Sequence, residues 1–348
     1  MFDACRARNR IGRKPIVTLI LTSFIAAAGT SAFAEATEVR LSHQQGLNFF
    51  PVQVVVEQKL IEKSARKLGL ADIRVSVHQF GSGAVANDAI LSGRIDFNAT
   101  GIGPMITMWE KTAGRLNVKA ALPIAATPTT LITSDPRVKS LRDYMTLTDH
   151  QIALPAIKVS MQARILQMAA AKELGPDRAS ALDQLTVSMQ NPDAFVAIKT
   201  GGSPVKSHFA VEPFTSMGLK QPGTRTMVSS YDVLGGKHTL TVLWTTEKFK
   251  ADNPKLYQAV VDAFQEAMAW MNANPNETAE LYIRLTKSPL AREEVAGIIA
   301  DKNKMDYNTI PLRTLEFAQS MHRIGAIAKK PEKWTDLFLE NTHYLPGS

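Results

Sequence analysis

Short apolar strands alternate with helical segments over the first two thirds of the chain. Residues 38–42, 73–77 and 95–99 alternate apolar and polar side chains, as a strand with one buried face does. A helical spacing of apolar residues over 52–61 follows the first strand, and a second helix over 84–91 follows the next. Strands and helices that alternate at short intervals predict βαβ units, an α/β fold class and a mostly parallel sheet.

The same rhythm restarts further along, with a strand near 151–155 and a helix from Ser160 to Leu174 that Gly175 ends. A short series of predicted elements also occurs twice. Residues 89–104 and 197–213 each contain a helix end, a Gly turn, a strand and a loop ending in Pro. This repetition predicts two lobes of similar build. Extended apolar segments near 125–133 and 236–244 are candidates for the crossings between them.

The last hundred residues have the pattern of helices. Asn253 and Pro254 suit the N-cap and first position of a helix. Apolar side chains then recur at i+3 and i+4 spacing and indicate core packing: Tyr257, Val260, Val261, Phe264, Met268 and Met271. Three shorter helices are expected at Pro289–Ile299, Pro311–Ile324 and Glu332–Leu339.

The first 34 residues have the three parts of a secretory signal peptide. Five basic residues between Arg6 and Lys14 precede an apolar run over 16–28, and Ala32-Phe33-Ala34 supplies an A-x-A cleavage site. A membrane anchor is the alternative, but the run is shorter than the roughly 20 residues that span a bilayer. We therefore expect a cleaved signal peptide and a soluble, exported mature chain.

Cleavage changes what the rest of the chain can do. The only cysteine, Cys5, lies in the removed segment, so the mature protein would have no disulfide and no thiol chemistry. The formal charge falls from +8 to +4, because residues 1–34 contain five basic side chains and one acidic one. No concentrated basic stripe is present, which argues against nucleic acid and favours small anionic ligands.

Small-residue loops lead from predicted strands into predicted helices at three places. Gly81-x-Gly83-x-x-Ala86 resembles a dinucleotide fingerprint, but the acidic residue expected about 20 residues later is absent, and Ala99-Thr100-Gly101 stands there instead. What the loops share is unpaired backbone N–H groups at a helix start, which bind anions or carbonyl oxygens. The loops are Ser82-Gly83, Gly101-Ile102-Gly103 and Ser160-Met161-Gln162.

Other polar or aromatic residues stand near strand ends, each with a structural alternative. Phe49, beside Asn48, would give a ligand an apolar wall, or would simply be buried at a helix start. Lys158 would add a charge for an anion, or be solvated. The threonines Thr127 and Thr129 are good strand residues in any case. Neither a serine-nucleophile elbow, nor H-E-x-x-H, nor a Cys/His cluster occurs, so no catalytic, metal or cofactor site is predicted.

Several motifs, in this order, resemble the substrate-binding proteins of the nitrate, sulfonate and taurine class of ABC transporters, which includes binders of the thiamine pyrimidine precursor. They are VRLSHQQGLNFFPVQVVVEQ, FGSG, the A-x-x-x-G-R-I-D-F run into TGIGP, PTTLITSDP, VSMQARILQMAAAKELG and AVEPF. The resemblance implies a type II periplasmic binding protein: two α/β lobes joined by crossing segments, with a helical C-terminal region. It also implies a monomer that closes on a small ligand and delivers it to an ABC permease in the inner membrane.

Under this resemblance, residues 1–34 are the signal peptide, 35–130 and 236–348 form lobe 1 with the C-terminal helices, and 131–235 form lobe 2. The ligand would lie in the cleft between the lobes, with helix N-terminal amides on its anionic group and apolar side chains on the remainder. The expected ligand-binding residues are Asn48, Phe49, Ser82, Gly83, Gly101, Ile102, Thr127, Thr129, Lys158, Ser160, Met161, Gln162, His208 and Glu212.

Two features leave the ligand and the role open. The second copy of the repeat has Lys206 where relatives have aspartate, in a longer loop, which puts the place of His208 in doubt. Arg164 is the only arginine near the predicted loops, which argues against a bidentate arginine clamp on a carboxylate. An exported enzyme of the same fold, acting for example on a thiamine-precursor pyrimidine or an aromatic acid, and a ligand-dependent sensor are the alternatives to a transport protein.

Overall fold

Two separate five-stranded sheets form the framework of the computed structural model, which describes residues 35–348. The predicted signal peptide lies outside the described residues. In chain order the strands are β1 (Glu38–His43), β2 (Arg74–Gln79), β3 (Phe97–Gly101), β4 (Val118–Ala126), β5 (Thr130–Thr133), β6 (Gln151–Leu154), β7 (Thr186–Ser188), β8 (Val205–Ala210), β9 (Arg225–Ser229) and β10 (Thr239–Thr246).

The two sheets have the same topology. The first has the order β2-β1-β3-β10-β4, and the second has the order β7-β6-β8-β5-β9. In each, the first three strands are parallel and the fourth is antiparallel to both of its neighbours. The fourth strands, β10 and β5, are the ones that enter after the chain crosses from the other sheet, so both sheets are mixed rather than mostly parallel. The two copies of the repeated series contain β3 and β8, which occupy equivalent positions in the two sheets.

The helices surround these sheets. They are α1 (Phe50–Glu57), α2 (Leu60–Lys67), α3 (Gly83–Leu91), α4 (Ile102–Lys111), α5 (Met161–Leu174), α6 (Asn191–Thr200), α7 (Phe214–Leu219), α8 (Ser230–Leu234), α9 (Glu247–Asp252), α10 (Pro254–Ala273), α11 (Pro275–Thr286), α12 (Arg292–Ala300) and α13 (Thr314–Arg323). Within residues 35–348, none of them is both long enough and apolar enough to cross a membrane.

Some helix predictions are confirmed and others are wrong. The helix from Ser160 begins as expected, because the Ser160 Oγ accepts a hydrogen bond from Ala163 N (3.2 Å). The single helix expected over 52–61 is two, since Lys59 adopts a left-handed φ of 53° between α1 and α2. The helix expected at Glu332–Leu339 is only a short 3-10 turn, Trp334–Leu337. The sequence pattern missed α11 altogether.

Two large hydrophobic clusters stabilise the fold. In the first, α10 packs against the first sheet together with α1 and α2, and its predicted stripe of apolar residues is buried. The second cluster includes Ile102 and Met105 of α4, Phe317 of α13, and Met161 and Ile165 of α5. Because α4 follows a strand of the first sheet and α5 follows a strand of the second, this cluster joins the two lobes.

The chain passes between the sheets twice, at residues 127–129 and 235–238. The two crossings are tied to each other, since Thr129 N donates to Ser230 Oγ (3.0 Å) and Ser230 Oγ in turn donates to His238 Nε2 (2.8 Å). His238 Nδ1 donates to Thr239 O (3.0 Å), and burial lowers the pKa of this histidine to about 4. The residue boundaries expected for the lobes stay a prediction.

Candidate functional site

Three of the contacts between the lobes lie around the ends of their strands. Leu47 N, after β1, donates to Glu212 O, after β8, at 2.9 Å. A Cβ added at Gly101 would lie 2.9 Å from Met161 Cβ. A Cβ at Gly81 would lie 2.7 Å from the Gln190 side chain. The approach at Gly101 is therefore possible only because glycine carries no side chain, whereas at Gly81 the flexible end of the Gln190 side chain could move aside.

A small cavity, which we call the neck, lies where α4 of one lobe and α5 of the other begin. It has a volume of about 20 Å³, room for roughly one water molecule. Among the residues around it are Asn48 and Gly101 from the first lobe and Ser160, Met161 and Gln162 from the second. The sequence predicted that these residues lie together, and the structure places them so; their contact with a ligand stays a prediction.

Some of the polar groups that line the neck have hydrogen-bonding capacity that the protein does not use. The first intrahelical bond of α5 runs from Arg164 N to Ser160 O (3.1 Å), which leaves the amides of Met161 and Gln162 without an i−4 partner. Asn48 is 1% exposed, and its Nδ2 donates to Thr241 Oγ1 (2.8 Å). Its Oδ1 has no partner among residues 35–348. The neck therefore presents a helix N-terminus and an unused amide oxygen.

A much larger cavity, which we call the chamber, adjoins the neck, since Gln44 and Phe49 line both. Its volume is about 600 Å³. Both lobes supply its apolar walls, which contain Phe49, Phe50, Tyr282 and Leu285 from the first lobe and Phe195, Val196, Phe214 and Met217 from the second. A solute of the size of an aromatic acid fits such a volume, because small-molecule sites measure roughly 300–1,000 Å³.

Charges at the chamber are of one sign. Lys199 at the end of α6 and Lys287 after α11 line it, and none of its described lining residues is Asp or Glu. His43 is buried, and burial lowers its pKa. Its Nδ1 donates to Gln44 O (2.7 Å), and its Nε2 accepts from Gln53 Nε2 (3.3 Å), so the imidazole is neutral and fully engaged. The chamber thus combines an apolar interior with a weakly positive rim.

Several predicted site residues lie away from the neck. The Thr127 hydroxyl donates to Lys304 O (2.5 Å) and the Thr129 hydroxyl to Ala210 O (2.8 Å), so both threonines hold the crossing in place. His208 is fully buried inside β8, where its Nε2 donates to Asn191 Oδ1 (3.0 Å). Burial lowers the pKa of His208 to about 3. Lys158 lines a different cavity, described below.

Glu212 and the loop before α3 have intermediate positions. The Glu212 carboxylate is buried and accepts from Ser216 N (3.2 Å) and Ser216 Oγ (3.0 Å), and burial raises its pKa. Its backbone carbonyl oxygen accepts the hydrogen bond from Leu47 N of the other lobe, and its carboxylate lies close enough to Lys304 and Tyr282 of that lobe to interact with them electrostatically. Ser82 is the N-cap of α3, which begins at Gly83, next to the Gly81 contact, but it lines neither the neck nor the chamber. The Ile102 side chain belongs to the core.

A Ser–His–Asp chain that the sequence did not reveal lies inside the second lobe. Ser207 Oγ donates to His150 Nε2 (2.9 Å), and His150 Nδ1 donates to Asp135 Oδ2 (3.0 Å). Tyr144 OH donates in turn to Ser207 Oγ (2.8 Å). Ser207, in the interior of β8, is 0% exposed, so its hydroxyl is closed to any substrate. The arrangement links three elements of this lobe and lacks the access that a nucleophile needs.

Phe49, which the sequence offered as an apolar wall, lines the chamber, but the sequence missed most of the other walls. Phe195 and Lys199 lie on a segment predicted to be helical, but nothing in its pattern indicated which face would meet the other lobe. Tyr282 lies on α11, the helix that was not predicted. One signal was available, because Asn274-Pro275 repeats the N-cap and first-position pair that marked α10.

Two α/β lobes joined by two crossings, with a cleft between the carboxyl ends of their strands, define the fold of the periplasmic binding proteins. Solved structures with this fold match the chain closely in shape and weakly in sequence. The alkanesulfonate-binding protein SsuA from Xanthomonas axonopodis pv. citri, bound to MOPS, is 17% identical with a TM-score of 0.65, over 85% of this chain and 96% of that one. The periplasmic nitrate-binding protein NrtA from Synechocystis PCC 6803 is 15% identical with a TM-score of 0.68, over 87% and 85%.

The chain belongs to the NMT1-like family, whose pattern matches residues 32–285. The periplasmic aliphatic sulphonate binding protein SsuA from Escherichia coli, 17% identical with a TM-score of 0.62 over 88% of this chain and 93% of that one, shares its fold. The curated protein sequences contain no match to the chain. The resemblance to the nitrate- and sulfonate-binding proteins is thereby confirmed for family and fold.

Proposed function

We propose that the protein is the solute-binding component of an ABC importer and that it binds an organic anion with a bulky apolar or aromatic body. The observation that carries this proposal is the chamber, whose walls come from both lobes and combine aromatic side chains with lysines at the rim. Known ligands of its structural relatives, a sulfonate and nitrate, are anions. A volume of about 600 Å³ favours an organic anion over nitrate, which would leave most of the chamber to water.

Apolar burial supplies most of the affinity in this proposal. A ligand that buries on the order of 200 Å² of apolar surface gains about 5 kcal/mol at 25 cal/mol per Å². Lys199 and Lys287 are exposed, so each contributes about 1 kcal/mol or less, and their main effect is to attract anions to the entrance. The neck, with its two free helix amides, would take a polar end of the ligand once the lobes part slightly.

We infer a periplasmic location from the predicted signal peptide and from relatives described as periplasmic. The partner would be an inner-membrane ABC permease, and a monomer would deliver the ligand to it. Binding without conversion is the simplest use of the chamber, because its one histidine, His43, is neutral and engaged at both nitrogens.

A thermal-shift series on residues 35–348 tests the proposal. The compounds separate the effect of charge from that of an apolar body. Naphthalenesulfonate and phenylacetate have both, methanesulfonate and nitrate have the charge without a large apolar body, and benzamide is neutral. We expect a saturable rise in melting temperature for the first pair, corresponding to about 2.7 kcal/mol at 100 times the dissociation constant. Recovery of the ligand unchanged, by mass spectrometry, would distinguish binding from catalysis.

Two variants make the series specific. Phe195→Ala removes a chamber wall and should abolish most of the shift, because the ligand loses an aromatic contact. Leu219→Ala removes an exposed apolar side chain of the same lobe that does not line the chamber, and should leave the shift unchanged. The proposal fails if nitrate alone, or neutral compounds alone, stabilise the protein, or if the two variants behave alike.

A further inference from the structure

A second large cavity, which we call the side cavity, opens beside α5 and shares no lining residue with the chamber or the neck. Its volume is about 610 Å³. Lys158, Arg164, Gln167 and Asp183 of the second lobe line it, together with residues 324–326, which follow α13 of the first lobe. It is therefore a separate place where the two lobes meet.

Arg164 is unusual because it is buried without an acidic partner. The residue is 9% exposed, and its Nη1 donates to the neutral Gln167 Oε1 (3.0 Å). Its Nε is buried and has no partner within residues 35–348. No carboxylate oxygen of the described chain lies within the 4.0 Å of an ion pair with it. A guanidinium that is desolvated without a counter-charge is costly, and burial lowers its pKa.

The nearest acidic side chain does not supply the missing charge. Both oxygens of Asp183 accept from Gln167 Nε2, at 3.1 and 2.9 Å, so Gln167 stands between the carboxylate and the guanidinium. Asp183 raises the pKa of Arg164 only through space. The aspartate is thus satisfied by Gln167, while the Arg164 Nε has no partner within residues 35–348.

Lys158 adds a second positive charge. It is exposed, and its backbone has a left-handed φ of 63°. The turn around it is fixed by Val159 N donating to Ile157 O (2.8 Å) and Ser160 N donating to Ala156 O (3.2 Å). Two cations and one hydrogen-bonded carboxylate give the titratable groups lining the side cavity a charge of +1. The local charge and the unused donor both favour an anion.

We propose that the side cavity binds a small oxyanion, a phosphate or carboxylate group, between Arg164 and Lys158. The arginine supplies directed N–H donors, and the lysine supplies a point charge. Because residues 324–326 line the same cavity as Arg164, the bound anion stabilises the arrangement in which the lobes meet. The site is independent of the chamber, so both can be occupied at once.

Titration of residues 35–348 with inorganic phosphate, and separately with acetate, at ionic strength held constant with sodium chloride, tests this site. The readouts are ³¹P line broadening for phosphate and melting temperature for both anions. We expect saturable binding, abolished in Arg164→Gln and weakened about fivefold to tenfold in Lys158→Asn, since asparagine tolerates the left-handed φ. Arg178→Gln removes an exposed arginine of the same lobe outside the cavity and should bind as wild type does.

Three results would overturn the proposal: no saturable response to either anion, wild-type binding in Arg164→Gln, or wild-type binding in Lys158→Asn. The exposed Lys158 position keeps the test decisive even if Arg164→Gln folds poorly. Phe195→Ala separates this site from the chamber, because phosphate binding should survive it. Loss of phosphate binding in Phe195→Ala would show that the anion occupies the chamber instead.

Discussion

Gly101 is the residue at which the contact between the lobes can be tested most sharply. An alanine Cβ there would lie 2.9 Å from Met161 Cβ, whereas non-bonded carbons rest at about 3.5–4.0 Å. The Gly101 φ of −58° suits alanine, so β3 itself tolerates the change. The added methyl group must therefore push the start of α5 back by about 0.5–1 Å.

The expected size of the effect follows from this overlap. Overpacking of one methyl group costs about 1–3 kcal/mol, which corresponds to a factor of about 5 to 150 in the population with the lobes in contact. A ligand that binds this population loses affinity by up to the same factor. Isothermal titration with the tightest anion of the thermal-shift series measures the loss, and small-angle scattering measures the separation of the lobes.

Two further variants control the experiment. Gly297→Ala, in α12, meets nothing within 4 Å and should raise the melting temperature slightly without changing ligand affinity. Met161→Gly removes the other atom of the clash and should restore much of the affinity in the Gly101→Ala background. Wild-type affinity together with a wild-type scattering profile in Gly101→Ala alone would refute the close approach of the lobes.

Three other predictions concern protonation, a buried carboxylate and the rim of the chamber. His208 and His238 have pKa values lowered to about 3 and about 4 against 6.5 in the unfolded chain, so acidification from pH 7 to 4.5 should remove about 5 kcal/mol of stability. The buried Glu212, with its raised pKa, offsets part of this loss, and equal urea midpoints at the two pH values would contradict the prediction. Asp135→Ala should cost about 1–3 kcal/mol, since it leaves the buried His150 Nδ1 without its acceptor, whereas Arg137, 46% exposed, keeps Asp149 as a partner; an unchanged melting temperature would count against it. Lys199→Gln should slow anion association and flatten its salt dependence in stopped-flow measurements, and a salt dependence equal to that of wild type would exclude a role for this rim charge.

The fold could be predicted because its signals are local. Each βα unit carries its own alternation and its own helix start, and the repeated series around β3 and β8 indicated two lobes. Local signals failed where one residue changed the chain direction, as Lys59 does between α1 and α2. They also failed for the strand order, because the antiparallel places of β5 and β10 depend on pairings across more than 70 residues.

The site was predictable only in part, for the same physical reason. Gly101 and Ser160 were found because a strand end followed by a helix start is visible in sequence. Of the chamber walls the sequence offered only Phe49 and its neighbour, because Phe195 and Tyr282 come to line one cavity only after both lobes have assembled. His208 was placed near the ligand on its closeness to a strand end, whereas β8 lies inside its sheet and is buried over most of its length.

The central claim is that the chamber holds an organic anion between the two lobes. The most direct measurement is a crystal structure of the protein with the strongest anion from the thermal-shift series. The account predicts density for the apolar body between Phe49 and Phe195, with the charged group facing Lys199 or the neck. Density on the outer surface of either lobe, with the chamber filled by water, would contradict it.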